Sequence, residues 1–278
     1  MKIIFLGTNG WYTTPTGNTA CILIDSKDYY VVLDAGNGIY KLDSYIKENK
    51  PIFLFVSHFH IDHVSGFHTL AKFKFKQGLD VCVAKGRKKD FDTLVNPPYT
   101  IGIKDKPENI GKLPYNVRVY ELTEKNNGFG KSFDPELRTE RLTILSLSKD
   151  KLPFPVSCIE LFHAYKGHGY RFELDGQIIA YSGDTGICDN SMTLAKNADL
   201  LIHECSWETV PKGNKWGHVN PIRAATLAKQ AHVKKLILTH FDASVYTTFE
   251  KRDKAERRAK KIFPNTIAAR DDMVLNLS

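Results

Sequence analysis

Short apolar runs closed by glycine, asparagine or aspartate recur along this chain and give the first reading of it. Residues 3–6, 19–25 and 29–34 are rich in aliphatic and β-branched side chains, and Ser26-Lys27-Asp28 links the last two, so the pattern predicts an antiparallel start to a sheet. Residues 52–56, 79–84, 116–122, 155–162, 170–174, 177–182, 199–202 and 236–239 read as further strands. Asp175-Gly176 between two of them is a hairpin signal, because both residues tolerate the left-handed backbone a tight turn needs. Helices are expected elsewhere. Residues 39–49 put Ile39, Leu42, Tyr45 and Ile46 near one face; 64–73 and 191–196 read likewise; another begins at Asn220-Pro221, a capping residue followed by a proline at the first helical position. Residues 85–90 read as a polar link, and Asn96-Pro97-Pro98-Tyr99 and Lys106-Pro107 as irregular structure. The polar stretch 123–153 is expected to be an insertion or excursion within a single domain spanning 1–278.

Composition narrows the class. With 278 residues, 42% hydrophobic and 25% charged, the chain can bury a sizeable core as a soluble globular protein. No apolar run is long enough to span a membrane, and the opening run stops at Gly7, which suits a first strand better than a signal peptide. Five cysteines, an odd number without any CxxC, are expected to be reduced thiols of a cytoplasmic protein; Cys188 or Cys205 as an extra metal ligand or a redox thiol is the alternative. A net charge of +8 suits a polyanionic partner. The basic residues concentrate in 72–89, with seven Lys or Arg against one Asp, and in 251–261, with seven against two acids; taken alone, each is expected to be a solvated face.

The candidate chemistry sits where strands end. Val56-Ser57-His58, Phe162-His163, Gly183-Asp184 and Thr239-His240 each put a ligand-type side chain directly after an apolar run. If those strands share a direction, rigid elements bring the polar residues to one rim. The densest case is Ser57-His58-Phe59-His60-Ile61-Asp62-His63, which follows the apolar run 51–56. Ring nitrogens and a carboxylate packed that closely are poorly explained as core, because burial would strip them of partners. His58 and His60, on alternate positions, can aim at one ion, and Asp62 and His63 at a second.

These residues carry a resemblance. His58-Phe59-His60-Ile61-Asp62-His63 resembles the HxHxDH signature of the metallo-β-lactamase-fold hydrolases, Tyr181-Ser182-Gly183-Asp184-Thr185 their aspartate motif, and Leu236-Ile237-Leu238-Thr239-His240-Phe241 their last histidine motif. The fold this implies is an α/β (α+β), four-layer αββα sandwich. The ligand set it implies is His58, His60 and His163 on one metal, Asp62, His63 and His240 on the other, with Asp184 bridging. His168 competes with His163, but Gly169-Tyr170-Arg171-Phe172 resembles the pattern that follows the third motif and favours His163. Two divalent ions are therefore implied. Zn²⁺ suits the donors, and Mn²⁺ or Fe²⁺ also fit. Two close cations would make a bridging hydroxide available at neutral pH.

Within that superfamily the nearest resemblance is to ribonuclease Z and its armless phosphodiesterase relatives. Residues 1–8 resemble the family opening, Leu201-Ile202-His203-Glu204-Cys205 its HEAT motif and Gly217-His218-Val219-Asn220 its GHST segment. The implied catalytic group is Asp62, also a ligand, with His218 protonating the leaving oxygen and Glu204 orienting His218. Two departures weigh against tRNA processing. His163 and Asp184 are only 21 positions apart, too close for the tRNA-gripping arm, and Asp242-Ala243-Ser244-Val245-Tyr246 replaces the family's serine and Arg-Tyr pair. The expectation is a phosphodiesterase acting on a nucleotide or nucleic-acid end, as a homodimer by resemblance and without a membrane partner. Its rivals are a tRNA 3′-processing endoribonuclease, a lactonase or thioesterase, an oxygen-reducing di-iron protein, and a non-catalytic nucleic-acid binder retaining the fold.

Overall fold

In the computed structural model, which describes residues 1–102, 113–122, 124–125, 144–145 and 152–277, the early apolar runs pair as the pattern predicts. Lys2–Gly7 lies antiparallel to Cys21–Asp25, and Cys21–Asp25 antiparallel to Tyr30–Leu33. Tyr30–Leu33, Ile52–Phe55 and Leu79–Ala84 then run parallel. The seven-stranded order is Val274–Asn276, Lys2–Gly7, Cys21–Asp25, Tyr30–Leu33, Ile52–Phe55, Leu79–Ala84, Val117–Leu122. The central strands are buried at successive positions rather than alternate ones, as expected of strands covered on both faces. Leu6, Leu23, Val32, Leu54 and Val81 form the core with Phe67, Phe73 and Phe91. Apart from Leu122, these elements belong to the first of two units, Met1–Glu121 with Arg270–Ser278; the second is Leu122–Ala269.

Of two helix expectations in the first unit, one comes out shortened and the other comes out largely as 3₁₀ helix. The one over 39–49 is a 3₁₀ helix, Asn37–Ser44, that buries Ile39 and Leu42. It stops there because the N–H groups of Lys47 and Glu48 donate to the Tyr30 hydroxyl, 3.3 and 3.2 Å away, instead of continuing the helical ladder. The one over 64–73 is an α-turn, Ile61–Val64, followed by a 3₁₀ segment, Ser65–Lys72. Conversely, the polar link at 85–90 runs into an unexpected helix, Lys88–Leu94, whose only buried residue is Phe91.

The second unit holds six strands in the order Val156–Leu161, Gly167–Leu174, Gln177–Tyr181, Leu200–Glu204, Lys235–Thr239, Thr266–Ala268. Asp175 and Gly176 turn the predicted hairpin with φ of 50° and 74°. Gln177–Tyr181, Leu200–Glu204 and Lys235–Thr239 are parallel. Val156–Leu161 reaches the same direction through two antiparallel steps. All four strands therefore end on one side of their sheet, and those ends deliver His163, Asp184, Glu204 and His240. Asn220 caps Pro221–Gln230 as expected, its side-chain oxygen accepting from the Arg223 N–H at 3.0 Å.

The basic stretch 251–261 is the solvated face expected of it, with Arg252 as the exception. It lies largely in a helix, Phe249–Lys260, whose inward residues are Arg252, Ala255 and Ala259. Two alanines and an arginine leave no apolar period to read. Arg252 is fully buried, its guanidinium 4.7 Å from the Phe241 ring centroid and donating to the Ala269 carbonyl at 3.2 Å. Arg252→Ala is expected to destabilise the protein by about 2–4 kcal/mol, read by denaturant unfolding, through the cavity and the abandoned carbonyl. Of the 123–153 excursion, the antiparallel pair Glu124–Lys125 with Ile144–Leu145 and residues 152–153 are described; the rest, like Lys106-Pro107, lies outside the described residues. No helix among the described residues is long and apolar enough to cross a membrane.

Candidate metal centre

In the first unit, the strand Ile52–Phe55 hands the chain to Ser57 and His58, and the short helix Ile61–Val64 carries Asp62 and His63. His58 is 4% exposed and His63 fully buried. Each ring is held from behind. Asp34 Oδ2 accepts from His63 Nδ1 at 2.8 Å, and the Ser57 backbone N–H and hydroxyl donate to the two Asp34 oxygens at 2.7 and 2.8 Å. With its proton drawn to Asp34, His63 keeps the Nε2 lone pair for a metal. The Ser57 hydroxyl lies 3.1 Å from His58 Nδ1, which leaves His58 Nε2 facing His60 Nδ1 at 2.9 Å. Two nitrogens bound to one tetrahedral ion at about 2.0–2.1 Å lie about 3.3 Å apart, so this pair is within about half an ångström of the spacing a shared cation needs. Asp62 Oδ2 accepts from the Trp11 backbone N–H at 2.7 Å, which fixes that carboxylate. Gly36 enables the approach: a Cβ there would lie 2.3 Å from the Asp62 carbonyl.

Asp34 is the functional residue that the motif reading passed over. Its signal was present, since it ends the apolar run of Tyr30–Leu33 just as His58, His163 and His240 follow theirs. Asp34→Ala is expected to weaken divalent-metal binding about 10–100-fold while sparing every candidate ligand, as isothermal titration of metal into the chelated protein would measure.

In the second unit, Asp184 and His240 are 2% and 5% exposed, with Asp184 Oδ1 3.3 Å from His240 Nε2. Ligand atoms of Asp184, His218 and His240 lie within 4.8 Å of one another. The Ser206 hydroxyl, 3.0 Å from His240 Nδ1, donates to the His240 carbonyl and so accepts from the ring, again freeing Nε2. Nothing in the sequence around Ser206 announces this role. His163 Nδ1 faces the Gly217 carbonyl at 3.4 Å, and the His163 and His218 rings are 5.2 Å apart. Gly217 is required there, with φ of 79° and no room for a Cβ, which would sit 2.3 Å from the Phe162 carbonyl. His168, the competitor of His163, is half-buried in the strand Gly167–Leu174 opposite Glu160.

Behind this cluster is a fully buried carboxylate. Glu204 Oε1 accepts from His218 Nδ1 at 3.0 Å and from the Val219 N–H at 3.1 Å, and Oε2 accepts from the Ser206 N–H at 2.8 Å. The pairing expected for Glu204 and His218 is thus present, and it aims His218 Nε2 away from Glu204. The cysteines stand apart, since no grouping of ligand atoms among the described residues includes one. Burial pushes the Cys205 thiol well up, and its sulfur meets the Tyr246 hydroxyl at 3.7 Å. His203 is likewise a core residue: burial lowers its pKa, and Nδ1 meets the Glu204 carbonyl at 2.9 Å.

The chain is similar to proteins already known. A family profile described as "Beta-lactamase superfamily domain" matches residues 29–241. A ribonuclease Z of Bacillus licheniformis is 30% identical, over 98% of this chain and 97% of its own length. A probable metallo-hydrolase of Bacillus subtilis, YhfI, is 25% identical, over 95% of this chain and 94% of its own. Among solved structures, human tRNase Z, short form, superposes with a TM-score of 0.72 at 23% identity, covering 100% of both chains. The expected metallo-β-lactamase fold is borne out, and its His and Asp donors suit divalent cations.

Proposed function

The chain belongs to the β-lactamase superfamily and is a metallo-β-lactamase-fold hydrolase, and from that premise we propose that it is a phosphodiesterase acting on a nucleotide or nucleic-acid end. The observation that carries the reading is the His218–Glu204 pair beside Asp184 and His240. It supplies an imidazole able to give a proton to an alkoxide leaving group, next to donors that fit a divalent metal. His58, His60 and His163 would hold one ion and Asp62, His63 and His240 the other, with Asp184 between them; Zn²⁺ is the first choice, and Mn²⁺ and Fe²⁺ fit the same donors. When bound, such a pair lowers the pKa of water and neutralises charge on the phosphoryl oxygens. The protein's own part is to turn one ring nitrogen of His58, His63 and His240 outward through Ser57, Asp34 and Ser206, and to deliver the proton from His218.

The single-domain expectation is retained, supported by a family match that runs across the boundary between the two units. A homodimer is retained from family resemblance. A cytoplasmic location is retained on five free thiols, four of them buried. The test loads the protein with Zn²⁺, Mn²⁺ or Fe²⁺ and offers bis-p-nitrophenyl phosphate, a lactone and a thioester. Metal-dependent turnover of the diester alone is the expected result; turnover of the lactone or thioester without the diester would overturn it.

A second reading, tRNA 3′-processing, is favoured by the relatives named ribonuclease Z, which match over nearly the whole chain. Against it, the positions between His163 and Asp184 are taken up by the hairpin of Gly167–Leu174 and Gln177–Tyr181, leaving no room for an arm. Clean cleavage of a precursor tRNA at its 3′ side would decide for this reading.

A further inference from the structure

Three aromatic side chains stand out in solvent on the two loops that carry His163 and His218. Phe162 is 47% exposed, Tyr165 60% and Trp216 53%. The Tyr165 and Trp216 ring centroids are 6.2 Å apart and tilted by 52°, and the Ala164 N–H donates to the Trp216 carbonyl at 3.0 Å, so the loops are tied to each other. Phe162 is accounted for differently: its ring fills the space in front of Gly186, where a Cβ would meet it at 2.6 Å. Trp216 has no such place in front of a glycine among the described residues. About half of the residue stays in solvent, and the same loops carry Lys166, Lys212 and Lys215, all exposed; the acid on those loops, Glu208, lies 2.8 Å from Lys254 Nζ instead.

An exposed indole amid uncompensated lysines is the combination that recognises unpaired nucleotides: the ring stacks a base of any sequence, and the ammonium groups meet the flanking phosphates. An apolar partner would gain nothing from the lysines, and a simple phosphate ester nothing from the rings. We propose that Trp216, backed by Tyr165 and flanked by Lys166, Lys212 and Lys215, is a stacking platform for an unpaired base of the substrate. This deepens the phosphodiesterase reading and rests on it, because it specifies single-stranded nucleotide diesters as the substrate class. Discrimination comes from stacking, so the base identity matters little and the presence of a base matters much.

The test measures binding of two fluorescein-labelled phosphorothioate oligonucleotides to the metal-loaded protein at fixed salt. One is a tetra-adenylate; the other has the same length and charge but abasic sugars. Wild type is expected to bind the first about ten-fold more tightly. Trp216→Ala is expected to remove that preference, and Trp216→Phe to keep most of it, whereas a merely structural role would weaken both ligands alike. Equal binding of the two oligonucleotides by wild type, or an unchanged preference in Trp216→Ala, would overturn the platform. Hydrolysis of bis-p-nitrophenyl phosphate, followed in parallel, separates the two readings. Diester turnover without base preference removes the platform and leaves the hydrolase, and base preference without diester turnover does the reverse.

Discussion

Asp184→Ala is expected to abolish both metal retention and diester turnover while leaving the protein folded. Asp184 is 2% exposed and is the only carboxylate in the group it forms with His218 and His240. A buried carboxylate facing an imidazole at 3.3 Å is electrostatically expensive unless a cation offsets it, so its presence argues for one. Removing it takes away that group's anionic donor and leaves the surrounding strands intact, since the side chain carries no part of the sheet's ladder. Elemental analysis after gel filtration, circular dichroism and diesterase assays would be read together. Metal retained at the wild-type level with turnover intact would sink the bridging role; loss of the fold would shift Asp184 from ligand to scaffold.

The second large effect concerns His218. His218→Ala is expected to retain metal and to slow hydrolysis by about 10²–10⁴-fold, but unevenly across substrates. A p-nitrophenolate leaves without help, so its release should fall little, whereas a nucleoside alkoxide needs a proton and should bear the full loss. Glu204→Gln should follow the same order of substrates with a smaller loss, about 10–100-fold, because His218 remains but its Nδ1 loses the anionic partner 3.0 Å away. Equal losses on both leaving groups would make His218 a ligand instead of an acid. Its ligand atom lies close enough to those of Asp184 and His240 for that outcome to be a real contest.

Much of this was legible before folding because the signals are local. Strand runs, the Asp175-Gly176 turn and the cap at Asn220 depend on neighbours a few positions away, and each appears where the pattern put it. Where periodicity was absent, reading failed. The helix Phe249–Lys260 buries Arg252, Ala255 and Ala259, and no hydrophobic period announces that set. The helix expected over 39–49 was cut short by a hydroxyl from Tyr30, a residue of another element.

By itself, the sequence determined the strand framework and the inventory of donors, since alternation, turn chemistry and a dense run of His and Asp are written in consecutive residues. Only the tertiary structure decided which nitrogen of each imidazole is turned outward. That choice depends on Asp34 for His63, 29 positions away, on Ser206 for His240, 34 positions away, and on Glu204 for His218. A hydrogen bond fixes a tautomer through proximity in space, and no spacing along the chain encodes that proximity.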